Sequence, residues 1–152
     1  MNKLVFATIA VLLFWAGFVS SISFMEAWLK FRAPGVSLPV GLSIGKTIFN
    51  ALNRMEWVFL FVSVLLVFIS GNFKRGASSS ILIILSLILL IQTFLLLPGL
   101  TERANTIIEG GTVGKSLLHI YFGVLEILKV CLLVSLGFKI LSNQIPNKQI
   151  PL

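Results

Sequence analysis

The sequence predicts an all-α integral membrane protein, a four-helix bundle with an additional interfacial or re-entrant helical segment between spans 1 and 2. Three observations carry that fold class. Hydrophobic residues fill 57% of the 152 positions and charged residues only 11%, against about 25% charged in a typical water-soluble domain. Mean hydropathy is +1.05, an excess that so short a chain could not hide from water. The apolar residues also gather into four runs, each close to the roughly 20 residues a helix needs to cross hydrocarbon.

Span 1 is expected at about residues 4–24. Lys3, the apolar stretch Leu4–Gly17 and Val19-Ser20-Ser21 have the outline of a secretory signal. The apolar run continues to Phe24 without a polar break, so the segment reads as a retained span. Ala33-Pro34-Gly35 ends the helix that carries Phe24 to Arg32, because proline disfavours helix in the residue before it and glycine accepts positive φ. Pro39 then suits the first turn of a new helix. An interfacial helical segment is expected over about 40–51, leading into span 2 at about 52–70.

Gly71-Asn72-Phe73-Lys74-Arg75-Gly76 reads as a short, wet turn. Span 3, about 81–97, contains no charge and is closed by Pro98-Gly99. Thr101 as N-cap, Glu102 in the first turn and Gly110-Gly111 past the end predict a second interfacial helix over about 102–109. Span 4 is expected at about 117–140, and residues 144–152, with two prolines, read as a frayed tail. No soluble lobe is left over, so residues 1–152 form a single transmembrane domain.

The net charge of +7 does not point to nucleic acid, because the bases are scattered among the spans rather than gathered on one face. With four spans, Lys3, Lys74-Arg75 and Lys139 fall on one side without acids. All five glutamates fall on the other side or in the half of the membrane nearest it. The acid-free face with short loops is placed in the cytoplasm, which makes this a multi-pass cell-membrane protein with both termini cytoplasmic. The single cysteine, Cys131, excludes an intramolecular disulfide and paired-thiol chemistry, and it reads as a small packing residue.

The segregated acids define the candidate site. Glu26 and Lys30 stand i,i+4 with glutamate first, the favourable order on a helix. Asn50, Asn53, Arg54 and Glu56 lead into span 2, the loop before span 4 adds Glu102, Arg103 and Glu109 to the polar cluster, and His119, Glu126 and Lys129 lie in span 4. Seven residues turn an ideal helix through about 700°, so His119 and Glu126 share a stripe, with Lys129 about 60° round from Glu126. Charges at that depth are costly, so they face the protein interior, pair, or line a wet cavity. The expected ligand-binding set is His119, Glu126, Lys129, Glu26, Arg54, Glu56 and Asn53. The bland alternative is a buried Glu126–Lys129 pair that only orders the helices. No metal is assigned; a minor alternative joins His119, Glu126 and Glu56 around a divalent cation, which the neighbouring cations oppose.

Other patterns carry less. Gly41, Gly45, Lys46 and Thr47 have the flavour of a phosphate loop, but the spacing is short and no strand precedes them. The two glycines read better as a face for close helix approach, including approach by a second copy of the chain. Trp15, Trp28 and Trp57 read as interfacial anchors or packing residues, and Gln92 as a donor across helices. Paired haem histidines and a nucleophile–histidine–acid set are both lacking, and no cofactor is named.

The function expected is binding or translocation of a polar or amphipathic small molecule or ion through a Glu/His/Lys/Arg cluster in the non-cytoplasmic half. The alternatives are a membrane-embedded enzyme acting on a lipid or quinone-like substrate, and a non-catalytic accessory subunit. Expected partners are membrane lipid, the small ligand and a second copy of the chain, without nucleic acid.

The segment Phe24-Met-Glu-Ala-Trp-Leu-Lys-Phe-Arg-Ala-Pro-Gly35, followed by Gly41-Leu-Ser-Ile-Gly-Lys46-Thr-Ile-Phe49, resembles the transmembrane-protein-205-like group of four-span proteins. The likeness continues in Leu100-Thr-Glu-Arg103-Ala and in His119 at the opening of the last span. It implies a four-span fold and carries no chemistry. Glu56, Glu126 and Lys129 do not match that group's pattern, so a site built on them stands on the residues alone.

Overall fold

A computed structural model of the chain describes residues 3–71 and 76–144, which are mostly helical and contain no strand. There are four helices, numbered α1 (Lys3–Arg32), α2 (Leu38–Ile69), α3 (Ser78–Ile108, its first turn reaching back to Gly76) and α4 (Leu118–Ser142). α1, α2 and α3, with 30, 32 and 31 residues, are long and apolar enough to cross a membrane. At 1.5 Å per residue each is about 45 Å long, well beyond the ~30 Å hydrocarbon layer of a bilayer. α1 packs against α2 and α4, and α3 packs against the same two helices from the other side.

Every helix buries a seam with alternating steps of three and four residues. In α1 it runs Val5, Thr8, Leu12, Trp15, Val19, and in α2 Asn53, Glu56, Leu60, Ser63, Val67. In α3 it is Ser78, Leu82, Leu85, Leu89, Gln92, Leu96. In α4 it is Phe122, Glu126, Lys129, Leu133, Leu136, Ile140. That spacing lets side chains of near-parallel helices interlock. The exterior is as apolar as the core, and several polar side chains are buried. Phe61, Phe68, Phe94 and Leu95 are each about two-thirds exposed, whereas Thr8, Ser63, Gln92, Glu126 and Lys129 are fully buried. Such an apolar exterior suits lipid as the surrounding solvent.

α1 and α3 each contain one wide π turn. Over Ser21–Glu26 the Ala27 N–H reaches the Ile22 carbonyl, and over Gln92–Leu96 the Leu97 N–H reaches that of Gln92. Ser20 and Ser21 hydroxyls donate back to the carbonyls of Ala16 and Gly17 just before the first π turn. α1 ends in a tight 3-10 turn over Lys30–Arg32, Ala33 is extended before Pro34, and Gly35 turns the chain with φ +81°. Both end signals expected at Pro34 and Gly35 are therefore used.

The two interfacial segments expected from the sequence are not separate elements. Residues 40–51 are the first part of the uninterrupted α2, since nothing after Pro39 breaks the helix. Residues 102–109 continue α3 through Pro98 and Gly99. A proline inside a helix removes one hydrogen bond and crowds the carbonyl four residues back. The π turn over Gln92–Leu96 comes immediately before Pro98 and widens the helix there, so the rod carries on past the expected stop. Its true end matches the sequence expectation. Gly110, at φ +86°, donates to Ile107 at 3.1 Å, and Gly111 donates to Thr106 at 2.8 Å, the paired bonds of a Schellman cap.

The glycine face of α2 is filled from within the chain. A Cβ on Gly41 would overlap the Phe31 ring, and one on Gly45 would lie 2.8 Å from Lys30 Nζ. The end of α1 therefore occupies the groove that the glycines were expected to offer to another helix or a second copy. Cys131 is exposed on α4 rather than packed inside. The expected turn at 72–75 and the tail from 145 onward lie outside the described residues.

Candidate functional site

One layer of the core is polar and takes a side chain from every helix. Lys129 on α4 hydrogen-bonds Glu56 Oε1 across the core and lies 3.0 Å from Glu126 Oε1 on its own helix. Trp15 Nε1 on α1 donates to Glu56 Oε1 at 3.3 Å. Gln92 Nε2, from the π turn of α3, donates to Glu126 Oε1 at 2.8 Å. Glu56, Glu126 and Lys129 are all 0–1% exposed. Two carboxylates face one ammonium, so with every group ionised the layer carries one negative charge in excess. Glu126 Oε2 and Gln92 Oε1 are buried and have no hydrogen-bond partner. In each of α1, α2 and α4 this layer lies about a dozen residues, roughly 20 Å, from the helix end that holds Lys3, Ile69 or Ser142.

A second polar layer sits one turn away. Thr93 accepts from Asn53 Nδ2 at 3.0 Å and from Trp57 Nε1 at 3.1 Å, and its hydroxyl donates to the Leu89 carbonyl at 2.7 Å. Asn53 also borders an open polar groove of about 630 Å³ that includes Arg54, Glu102 and Asn105. Arg54 itself is exposed.

Nearer the far ends of the helices, a cavity of about 380 Å³ opens between the end of α1, the start of α2, the last turns of α3 and the start of α4. Its walls are mainly apolar, with Leu42, Leu97, Leu100 and Ile107 among them, and Lys30, Lys46, Arg103 and His119 supply the polar groups. Lys30 is held by Glu26 at 3.2 Å and lies 5.4 Å from the ring centres of both Phe31 and Phe49. Lys46 donates to Asn105 Oδ1 at 2.7 Å, and Arg103 to the Gly114 carbonyl. Phe49 and Phe122 meet edge to face at 5.5 Å and both line the cavity. Glu126 lies one helical turn beyond Phe122, and Glu56 two turns beyond Phe49, so the aromatic pair stands between the cavity and the charged layer.

The residues expected to form one site thus divide into three places. Glu56, Glu126 and Lys129 come together in the core and line neither cavity. His119 lines the cavity, with Glu26 beside it through Lys30. Asn53 and Arg54 border the groove. Lys129 stands between the two carboxylates, and among the described residues no three His, Cys, Asp or Glu side chains converge as metal ligands. The Glu26–Lys30 pair and the donation by Gln92 across helices form as expected. Sequence reasoning passed over Trp15 as a polar partner and over Lys46 as a cavity group, whereas Arg103 was expected in the polar cluster and lines the cavity. Trp15 continues the three-four seam of α1, which was the available signal for it; for Lys46 no local signal exists.

No protein-family model matches the chain, and neither a curated protein nor a solved structure shows significant similarity to it. The family resemblance therefore rests on its own short motifs.

Proposed function

We propose that this protein crosses the cell membrane four times as a helical bundle and binds an amphipathic small molecule in the cavity between Lys30, Lys46, Arg103 and His119. The observation that carries the reading is the cavity itself: a partly open, mostly apolar space into which a few polar groups converge, the usual build of a small-molecule site. α4, with 25 residues, is about 37 Å long and sufficient to span. Its two mid-helix charges are paired within the core, which removes most of their cost in lipid. The lengths of α1, α2 and α3 leave about 15 Å beyond the hydrocarbon. With the end of α2 at Ile69 and the start of α3 at the opposite boundary, that excess carries the cavity to the interfacial zone. Both termini lie in the cytoplasm and the cavity opens toward the other side.

In this reading the Glu56–Lys129–Glu126 layer is the floor of the site. It ties α2 to α4 and, through Trp15 and Gln92, draws α1 and α3 into the same register. The test is native mass spectrometry of the protein released from mild detergent, beside Ala104→Phe, which fills the cavity from α3. The expected result is a small adduct on the wild type that is lost from a folded Ala104→Phe protein. A wild type without an adduct that is also indifferent to added amphiphiles would refute the proposal.

A further inference from the structure

The cavity's charge goes beyond its shape. Three cations line it, Lys30, Lys46 and Arg103, and only Lys30 has a carboxylate partner, Glu26. Among the described residues, neither Lys46 nor Arg103 has a carboxylate within ion-pair distance; each is engaged by a neutral oxygen, of Asn105 and of Gly114. The site therefore holds two positive charges in excess. Lysine and arginine ordinarily reach water or an acid, and here their stems border an apolar space. A guanidinium and an ammonium facing one cavity suit a phosphate, which arginine grips with parallel N–H bonds and lysine approaches as a point charge.

The volume limits the remainder of the ligand. At about 30 Å³ per water-sized group, 380 Å³ admits roughly a dozen such groups. That is a head of phosphate size and one short chain, or the first part of a longer one. The second chain of a two-chain lipid would have to lie outside it. The apolar walls from Leu42, Leu97, Leu100 and Phe122 suit the chain, while His119 adds a hydrogen-bonding ring. A phosphate monoester carries about −1.5 to −2 near neutral pH, which matches the two surplus cations better than a singly charged carboxylate does.

We infer that the cavity selects a single-chain phosphate monoester, with Lys46 and Arg103 as the groups that read its head. This rests on the proposed cavity site and names its ligand class. The test uses the full-length protein in neutral maltoside detergent and follows thermal unfolding and competition against four probes: dodecyl phosphate, dodecanol, inorganic phosphate, and phosphatidylglycerol supplied in nanodiscs. Dodecyl phosphate is expected to bind roughly ten-fold or more tightly than dodecanol. Inorganic phosphate alone and phosphatidylglycerol should compete poorly. The double variant Lys46→Gln/Arg103→Gln should lose the preference for dodecyl phosphate while still binding dodecanol.

Equal binding of dodecyl phosphate and dodecanol by the wild type overturns the head-group inference and leaves the amphiphile cavity standing. Competition by inorganic phosphate alone at the same concentrations overturns the need for a chain, and equal competition by phosphatidylglycerol overturns the single-chain class. Failure of every amphiphile to bind removes the cavity reading as well. The wild-type comparison of the two dodecyl probes decides the matter even if the double variant does not fold.

Discussion

Gln92 donates its amide hydrogen to Glu126 Oε1 at 2.8 Å, and each of the two side chains is left with one buried oxygen that has no partner. Both remaining atoms, Gln92 Oε1 and Glu126 Oε2, are acceptors. A buried acceptor without a donor costs about 1–3 kcal/mol, so the polar layer is incompletely satisfied on the side of Glu126, whereas Glu56 Oε1 accepts from both Lys129 and Trp15.

That asymmetry makes the glutamates unequal. Glu126→Gln supplies an N–H where the unpartnered Oε2 lies and removes the surplus negative charge, while Glu56 still pairs with Lys129. Thermal unfolding in detergent should show Glu126→Gln neutral or slightly stabilised, with Glu56→Gln less stable than Glu126→Gln. A Glu126→Gln protein that loses several kcal/mol would show that Glu126, not Glu56, is the principal counter-charge.

Combining the two changes should be strongly non-additive. Glu56→Gln/Glu126→Gln leaves Lys129 buried with no counter-charge, and an uncompensated buried charge costs about 3–5 kcal/mol. Adding Lys129→Met should recover most of that loss. Lys129→Met alone leaves two buried carboxylates together and should be the worst of the single variants. Unfolding midpoints for the set give the coupling directly.

Trp15→Phe keeps the ring packing of α1 against Phe59, 6.1 Å away, but removes the indole donor to Glu56. A loss of about 1–2 kcal/mol is expected. If the loss is no greater than for Trp28→Phe, whose ring is half exposed, the hydrogen bond contributes nothing measurable.

The proposed topology is checked with thiol labelling in a Cys131→Ser background. Cysteines placed at Gly35 and Thr112 should react with an impermeant maleimide from outside intact cells, and one placed at Asn143 only after permeabilisation. In the otherwise native chain, Cys131 should react with a lipid-soluble maleimide and resist the impermeant one. Labelling of Gly35 and Thr112 from opposite sides would exclude four spans.

Much of the helical content could be read directly. Pro34, Gly35, Pro39 and Gly110 act locally, through their own φ angles and missing hydrogens, so the breaks they impose need no knowledge of neighbours. Pro98 was misread because its effect is cancelled by the π turn before it, and nothing local in Gln92–Leu96 announces that turn. Of the site, the Glu26–Lys30 pair was legible because both residues lie on one helix. The pairing of Lys129 with Glu56, 73 residues apart, was not. In a soluble protein, apolar periodicity shows which face is buried. Here lipid leaves both faces apolar and the contrast vanishes, so the seam is visible only after the helices are packed.

The sequence by itself determined that the chain is helical, that at least three stretches are long and apolar enough for a membrane, and that its acids collect toward one end of those helices. These follow from composition, run length and local backbone chemistry, each of which acts within a few residues. Tertiary structure alone decided that the expected single cluster is three places: a closed layer of Glu56, Lys129, Glu126, Trp15 and Gln92, a separate cationic cavity, and a polar groove bordered by Asn53 and Arg54. The reason is physical: ion pairing and cavity shape depend on distances between helices, which a sequence encodes only through the packing of every side chain at once.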